Sequence, residues 1–183
     1  MSDATNPTND HVDVYKWLSD NLYISTDSDR DALKIVQQFL LVLPIIELEL
    51  FNGEYETENI PTIAENKQNL FKNIEWAEDY AKYFFERYQD ARLYDELITT
   101  VVKGKPELQD WGEFREIITK FKCKDLNEKQ KLTILLFVVF RYRKNIFHGD
   151  KLIETWHKYA EQIKKCLNFI VRLHDCWKAS QTP

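Results

Sequence analysis

The densest group of chemically competent side chains in this chain lies in residues 141–151, RYRKNIFHGDK. Arg141, Arg143, Lys144 and Lys151 supply cations, Asn145 an amide and His148 an imidazole. An imidazole with a pKa near ~6.5 serves as acid or base at neutral pH. A guanidinium grips non-bridging phosphate oxygens in a planar fork and stabilises the charge that builds on them. These groups suit chemistry at phosphorus with no metal ligand involved. The bland alternative is a helix C-terminus whose Arg, Lys and His complement the dipole and whose Gly149 caps the end. Several cations plus an asparagine exceed what a cap requires.

Helical geometry sorts these residues. At about 100° per residue, Arg141 and His148 come within about 20° of each other, with Asn145 on the same face. Arg143 and His148 stand about 140° apart on a straight helix. For Arg143 to meet His148, the last turn must unwind, the side chain must wrap, or a second chain must supply one of the pair.

The segment resembles the motif of the HEPN superfamily, an arginine followed after four to six residues by a histidine near a helix end. Arg143 and I-F-H-G-D-K are similar to a prokaryotic subgroup with R-N-x-L-F-H-G. On that match Arg143 is the family arginine and His148 the family histidine. Arg141 also satisfies the spacing. Lys144 stands where the subgroup carries asparagine, and Asn145 follows it. The resemblance implies a metal-independent endoribonuclease that acts as a homodimer, with no cofactor, in which the RNA 2′-hydroxyl is the nucleophile. It implies a toxin or defence effector and an antitoxin, often a small nucleotidyltransferase. Under it His148 is the acid/base, Arg143 and Arg141 bind phosphate, and Asn145 orients. Lys144 and Lys151 add field along the RNA. A catalytically inactive HEPN-like module that binds a partner protein or nucleotide is the other expectation.

The elements that must position this segment read as helices. With only 4 Gly and 5 Pro in 183 residues, few breakers interrupt the pattern. The expectation is an all-α, up-and-down bundle of five to seven helices forming one domain over residues 13–183, after a disordered tail over residues 1–12. A short helix is predicted within residues 11–25, with Val14, Trp17, Leu18, Leu22 and Tyr23 at helical spacing. Asp27, Ser28 and Asp29 offer N-caps for a helix over residues 30–50, which Pro44 should kink or end early. Residues 47–51 also carry a short, ambiguous strand alternation. Residues 51–63 read as a loop with Asn52-Gly53 as its turn.

A stripe of Leu70, Ile74, Ala77, Ala81, Phe84 and Tyr88 predicts one helix over residues 65–88, widened by extra aromatics. Further helices are expected over residues 91–102, stopped by Gly104 and Pro106, and over residues 108–121. Asp125, with Glu128 three residues on, has capping-box spacing for a long helix over residues 126–147. That helix is apolar through residues 135–140 before it turns cationic. The last helix, residues 150–177, repeats Leu152, Trp156, Tyr159, Ile163, Cys166, Ile170, Leu173 and Trp177 at three- and four-residue steps.

Composition narrows the partners. A net charge of −5 argues against coating of duplex nucleic acid, where phosphate neutralisation dominates, but leaves room for a small basic cleft. The apolar runs 39–46 and 135–140 fall short of the ~20 residues that span a bilayer. Three scattered cysteines, Cys123, Cys166 and Cys176, make no disulfide framework and point to a reducing, cytoplasmic setting. His157 and His174 read as packing residues. Glu47 and Glu49 as a metal pair lack histidine partners at helical spacing, and residues 47–58 read as a solvated acidic loop. No phosphate-cradling glycine loop and no nucleophile elbow occurs.

Overall fold

Thr26 opens the first helix of the structure, a computed structural model that describes residues 26–71, 75–99, 112–147 and 158–181. Its hydroxyl accepts from the Asp29 N–H at 3.1 Å and the Asp29 carboxylate accepts from the Thr26 N–H at 3.1 Å, a reciprocal capping box. Helix α1 therefore starts at Asp27, and Asp29 serves as the third helical residue rather than as the cap. Six more α-helices follow: α2 (Ile60–Lys67), α3 (Glu75–Arg87), α4 (Ala91–Thr99), α5 (Gly112–Lys120), α6 (Glu128–Phe147) and α7 (Ala160–Gln181). The fold is all-α, with no strand among the described residues. No helix among them is long and apolar enough to cross a membrane.

Several elements depart from the sequence expectations. α1 (Asp27–Phe51) continues past Pro44 rather than ending there, and residues 47–51 are helical rather than extended. A proline in a helix interior costs about 3 kcal/mol. Phe39 and Leu43 before it, and Ile46 and Leu50 after it, are all buried and hold both halves against the core. The helix ends as the Asn52-Gly53 signal predicts. Asn52 takes φ 54° and the Gly53 N–H reaches the Glu47 carbonyl at 3.0 Å. Residues 51–63 are not all loop: a 3-10 turn over Thr57–Asn59 leads into α2, with Pro61 in its first turn.

The single helix expected over residues 65–88 is broken. α2 stops at Lys67, a 3-10 turn covers Gln68–Phe71, and α3 begins at Glu75. Phe71 turns inward and meets Phe169 at 6.2 Å and Trp76 at 6.5 Å between ring centroids. The aromatics that widened the stripe thus belong to two elements converging on α7. Ala77, Ala81, Phe84 and Tyr88 are buried as the stripe requires. The expected helix over residues 11–25, and the parts of the other expected helices at residues 100–102, 108–111 and 150–157, lie outside the described residues.

α6 forms the axis of the bundle. Every residue from Leu132 to Tyr142 is buried, because a helix that is apolar on all sides must be enclosed on all sides. It packs against α2, α3, α5 and α7. Its start is capped by Asn127, not Asp125: the Gln130 N–H donates to Asn127 Oδ1 at 2.9 Å and the Asn127 N–H to Gln130 Oε1 at 3.0 Å. Asp125 lies in the preceding 3-10 turn. α7 lays Ile163, Cys166, Ile170 and Leu173 against the core at the expected spacing and packs along α1.

Candidate functional site

α6 emerges from the core carrying Arg141, Arg143, Lys144 and Asn145 on its last turns, and these side chains go to two different sides. Arg141 and Asn145, four residues apart, share the buried side at 1% and 4% exposure. Arg143 takes the other side, toward the C-terminal end of α1. Straight-helix geometry separates Arg143 from Asn145 by about 160°, and packing keeps that separation.

On the α1 side, Arg143 Nε stands 2.8 Å from Glu47 Oε1, and a terminal nitrogen stands 3.9 Å from Glu56. Glu47 Oε1 makes no directional hydrogen bond, so its contact with Arg143 is mainly Coulombic. The guanidinium lies 5.5 Å from the Phe140 ring and the Lys144 ammonium 5.6 Å from the same ring. The Arg143 side chain is 26% exposed and that of Glu47 only 14%. Burial pushes the Glu47 carboxyl above its ordinary range; Arg143 pulls it down by less, and Glu56 adds to the rise. Arg143 is thus a partly open guanidinium already facing two carboxylates.

On the other side, Asn145 lines a small cavity with Arg87, Tyr88, Leu97, Tyr142 and Tyr159. Its volume of about 10 Å³ holds one water-sized molecule. Asn145 Oδ1 and Arg87 Nε are buried there with no hydrogen-bond partner. Burial pushes the Tyr88 and Tyr142 hydroxyls above the ordinary tyrosine range; the interaction between them adds to the rise at Tyr142 and offsets part of it at Tyr88. These phenols stay protonated at any working pH and act as neutral hydrogen-bonding groups.

His148 and Lys151 lie outside the described residues, so the structure does not bring the imidazole into relation with either arginine. Among the described candidates, Arg141 and Asn145 share the buried side of α6, while Arg143 and Lys144 both lie near the Phe140 ring. Arg141 is enclosed in this chain, and Arg143 is the arginine with solvent access.

Sequence reasoning missed Glu47, assigning it to solvated acidic loop. It is a helical residue whose neighbours at i−4, i+3 and i+4 (Leu43, Leu50 and Phe51) are all buried. A carboxylate framed that way needs a cation, and this spacing was the available signal. Glu49 is anchored by His174 at 2.8 Å and Lys178 at 3.2 Å, which draws its carboxyl below the ordinary range. His174 is therefore occupied in packing α7 against α1.

Other chemistry finds little support. No group of three or more His, Cys, Asp or Glu among the described residues has metal-binding geometry. Burial raises all three thiols, that of Cys166 most, which disfavours the thiolates a nucleophile needs. Cys123 lines an open groove of about 690 Å³. Two lysines of that groove are paired with glutamates, Lys131 with Glu78 at 2.6 Å and Lys82 with Glu86 at 4.0 Å. No family model matches this chain, and no curated protein and no solved structure matches it.

Proposed function

We propose that the chain is a HEPN-type, metal-independent endoribonuclease, a toxin or defence effector working in the cytoplasm as a homodimer. The observation that carries this reading is the change from apolar to cationic side chains after Phe140 of α6. The helix stays enclosed at Arg141, Tyr142, Asn145 and Ile146, opens partly at Arg143 and Lys144, and ends immediately before the His148 that completes the arginine–histidine spacing. Arg143 alone of the two arginines has the access a phosphodiester requires.

In the reaction, a base takes the proton of the RNA 2′-hydroxyl. The 2′-oxygen forms a bond to phosphorus as the bond from phosphorus to the 5′-oxygen breaks, and an acid returns a proton to that leaving oxygen. The products are a 2′,3′-cyclic phosphate and a 5′-hydroxyl. His148 serves as acid or base, and a second copy supplies the complementary imidazole. Arg143 holds the non-bridging oxygens, Arg141 and Asn145 orient, and Lys144 and Lys151 draw the RNA backbone in. A nucleotidyltransferase-type antitoxin is the partner this reading carries with it.

A second reading, a non-catalytic HEPN-like module that binds a partner protein or nucleotide, is favoured by one observation. Arg143 already faces Glu47 and Glu56, and Arg141 is enclosed. The two separate in one assay: purified protein and RNA in EDTA buffer, with cyclic-phosphate ends scored. Cleavage by wild type that His148→Ala and Arg143→Ala each abolish supports the enzyme. Intact RNA at high protein concentration, or variants that cleave as well as wild type, supports the binding module.

A further inference from the structure

Asn145 Oδ1 is an acceptor and Arg87 Nε a donor; both are buried, both lack a hydrogen-bond partner, and both residues line one cavity. A native interior seldom leaves such groups unpaired, because each then bears its full desolvation penalty. The cavity lies between the end of α3 and the last turns of α6 and is open on one side. Its volume of about 10 Å³ takes a single oxygen-sized group.

Arg87 is the last residue of α3 and is half-buried. An arginine at a helix C-terminus ordinarily serves the last carbonyls or a neighbouring carboxylate. Arg87 meets neither among the described residues; its polar neighbours are the hydroxyls of Tyr83, Tyr88 and Tyr142. Glu96, which also lines the cavity, is held by Arg92 at 2.6 Å.

A group that satisfies both walls must accept from Arg87 and donate to Asn145 through one atom. A carboxylate or a phosphate dianion only accepts, and an ammonium only donates, so each leaves one wall unpaired. A hydroxyl does both. We infer that this cavity reads a ribose 2′-hydroxyl of a bound RNA strand, whose oxygen accepts from Arg87 Nε–H and whose proton goes to Asn145 Oδ1. The choice of a ribose as the source of the hydroxyl rests on the ribonuclease reading. The 2′-hydroxyl, donor and acceptor at once, is the group by which a protein separates RNA from DNA. The rest of the lining suits a nucleotide. The Tyr142 and Tyr159 rings, 6.3 Å apart between centroids, and Leu93 give sugar and base an apolar wall. The Arg87 cation draws the adjoining phosphate.

This hydroxyl is not the nucleophile. Arg143 and Asn145 leave α6 on opposite sides, which sets their ends about 10 Å or more apart. The attacking 2′-oxygen and its phosphorus are neighbours within one nucleotide unit. With that phosphate on Arg143, the ribose in the cavity is a flanking one, and Arg87 and Asn145 act as specificity residues.

Fluorescence anisotropy tests this in EDTA buffer. The protein is the full chain carrying His148→Ala, so that RNA stays intact. The probes are matched single-stranded oligonucleotides with ribo, deoxy, 2′-fluoro and 2′-O-methyl sugars. RNA is expected to bind about tenfold tighter than DNA, the sum of two modest hydrogen bonds. The 2′-fluoro strand keeps the RNA sugar pucker but cannot donate to Asn145. The 2′-O-methyl strand cannot donate and overfills the space. Both are expected near the DNA value. Asn145→Leu erases the difference between RNA and DNA; Arg87→Met erases it and weakens both. The sugar series leaves the cavity residues unchanged, so it decides the matter even where a variant fails to fold. No binding of any strand, RNA and DNA bound alike, a 2′-fluoro strand as tight as RNA, or a preference that survives Asn145→Leu in folded protein overturns the inference and leaves the cavity to water alone. The two readings fail separately. Wild type that cleaves RNA while the sugar series shows no preference keeps the ribonuclease and removes the reader. A clear preference with RNA left intact by wild type keeps the reader and removes the ribonuclease.

Discussion

The Arg143–Glu47 pair makes an asymmetric prediction. Arg143→Gln should destabilise the fold by about 2 kcal/mol at pH 7, and Glu47→Gln by less than about 1 kcal/mol. At 2.8 Å and an effective dielectric near 20, the attraction is about 6 kcal/mol. It opposes a desolvation cost of several kcal/mol per ion. The two nearly cancel for Glu47, whose carboxyl stays raised above its ordinary range despite the neighbouring guanidinium. An amide in its place gives up the attraction and the desolvation cost together. Removing Arg143 instead strands a mostly buried carboxylate beside Glu56. With Arg143 26% exposed, the loss falls between the small value of a surface pair and the 3–5 kcal/mol of a fully buried one.

The pH dependence follows from the sign of the shift. A carboxyl with a raised folded pKa binds its proton more tightly when folded, so its ionisation lowers stability as pH rises above 4.5 toward that folded value. Without Arg143 the folded value rises further and the window widens upward. The R143Q deficit should therefore shrink as pH falls toward 4.5 and below. Urea unfolding followed by tryptophan fluorescence, with 5 tryptophans as probes, reads it directly. At pH 7 the R143Q unfolding constant should rise about 30-fold. An E47Q cost as large as that of R143Q, or a gap between R143Q and wild type that widens in acid, would refute the asymmetry of the pair.

Thr26→Ala removes one half of the capping box and should cost about 1 kcal/mol in the same assay, with Thr26→Ser restoring most of it. Phe137→Ala hollows the fully buried middle of α6 and should cost about 3–5 kcal/mol by urea unfolding. Asn145→Leu removes a buried carbonyl oxygen that has no partner, so thermal melts should show a change within about 1 kcal/mol. RNA cleavage under the proposed function should be lost in the same variant, separating a role at the site from a role in the fold. Glu56→Gln frees Arg143 of its more distant carboxylate and should lower the KM for RNA several-fold at low salt, with little effect on stability, because the pair is 3.9 Å long and Glu56 is 55% exposed.

Patterns carried by one helix at a time were legible without coordinates. The run of residues 135–140 marked the enclosed helix, and the spacing of Ile163, Cys166, Ile170 and Leu173 marked the buried face of α7. Both follow from the 3.6-residue period, which is local. The Asn52-Gly53 stop was legible too, since a left-handed residue is a local demand. Element ends were less so: Thr26 and Asn127 took the caps from equally suitable neighbours. The break after Lys67 was hidden because residues 65–88 carry a continuous apolar period. Phe71 and Trp76, one in the 3-10 turn and one in α3, both meet Phe169 of α7, a contact that no local period encodes.

The site divides in the same way. Sequence alone determined that two arginines, an amide and an imidazole follow a buried helix, and that Arg141 and Arg143 point to different sides of it. Only the tertiary structure decided that Arg141 is enclosed, that Arg143 meets Glu47, 96 residues earlier in the chain, and that Leu41, Ile45 and Leu48 face outward. Helical period fixes angles about one axis. Which neighbour fills each angle depends on how separate helices pack, and no window of sequence contains that.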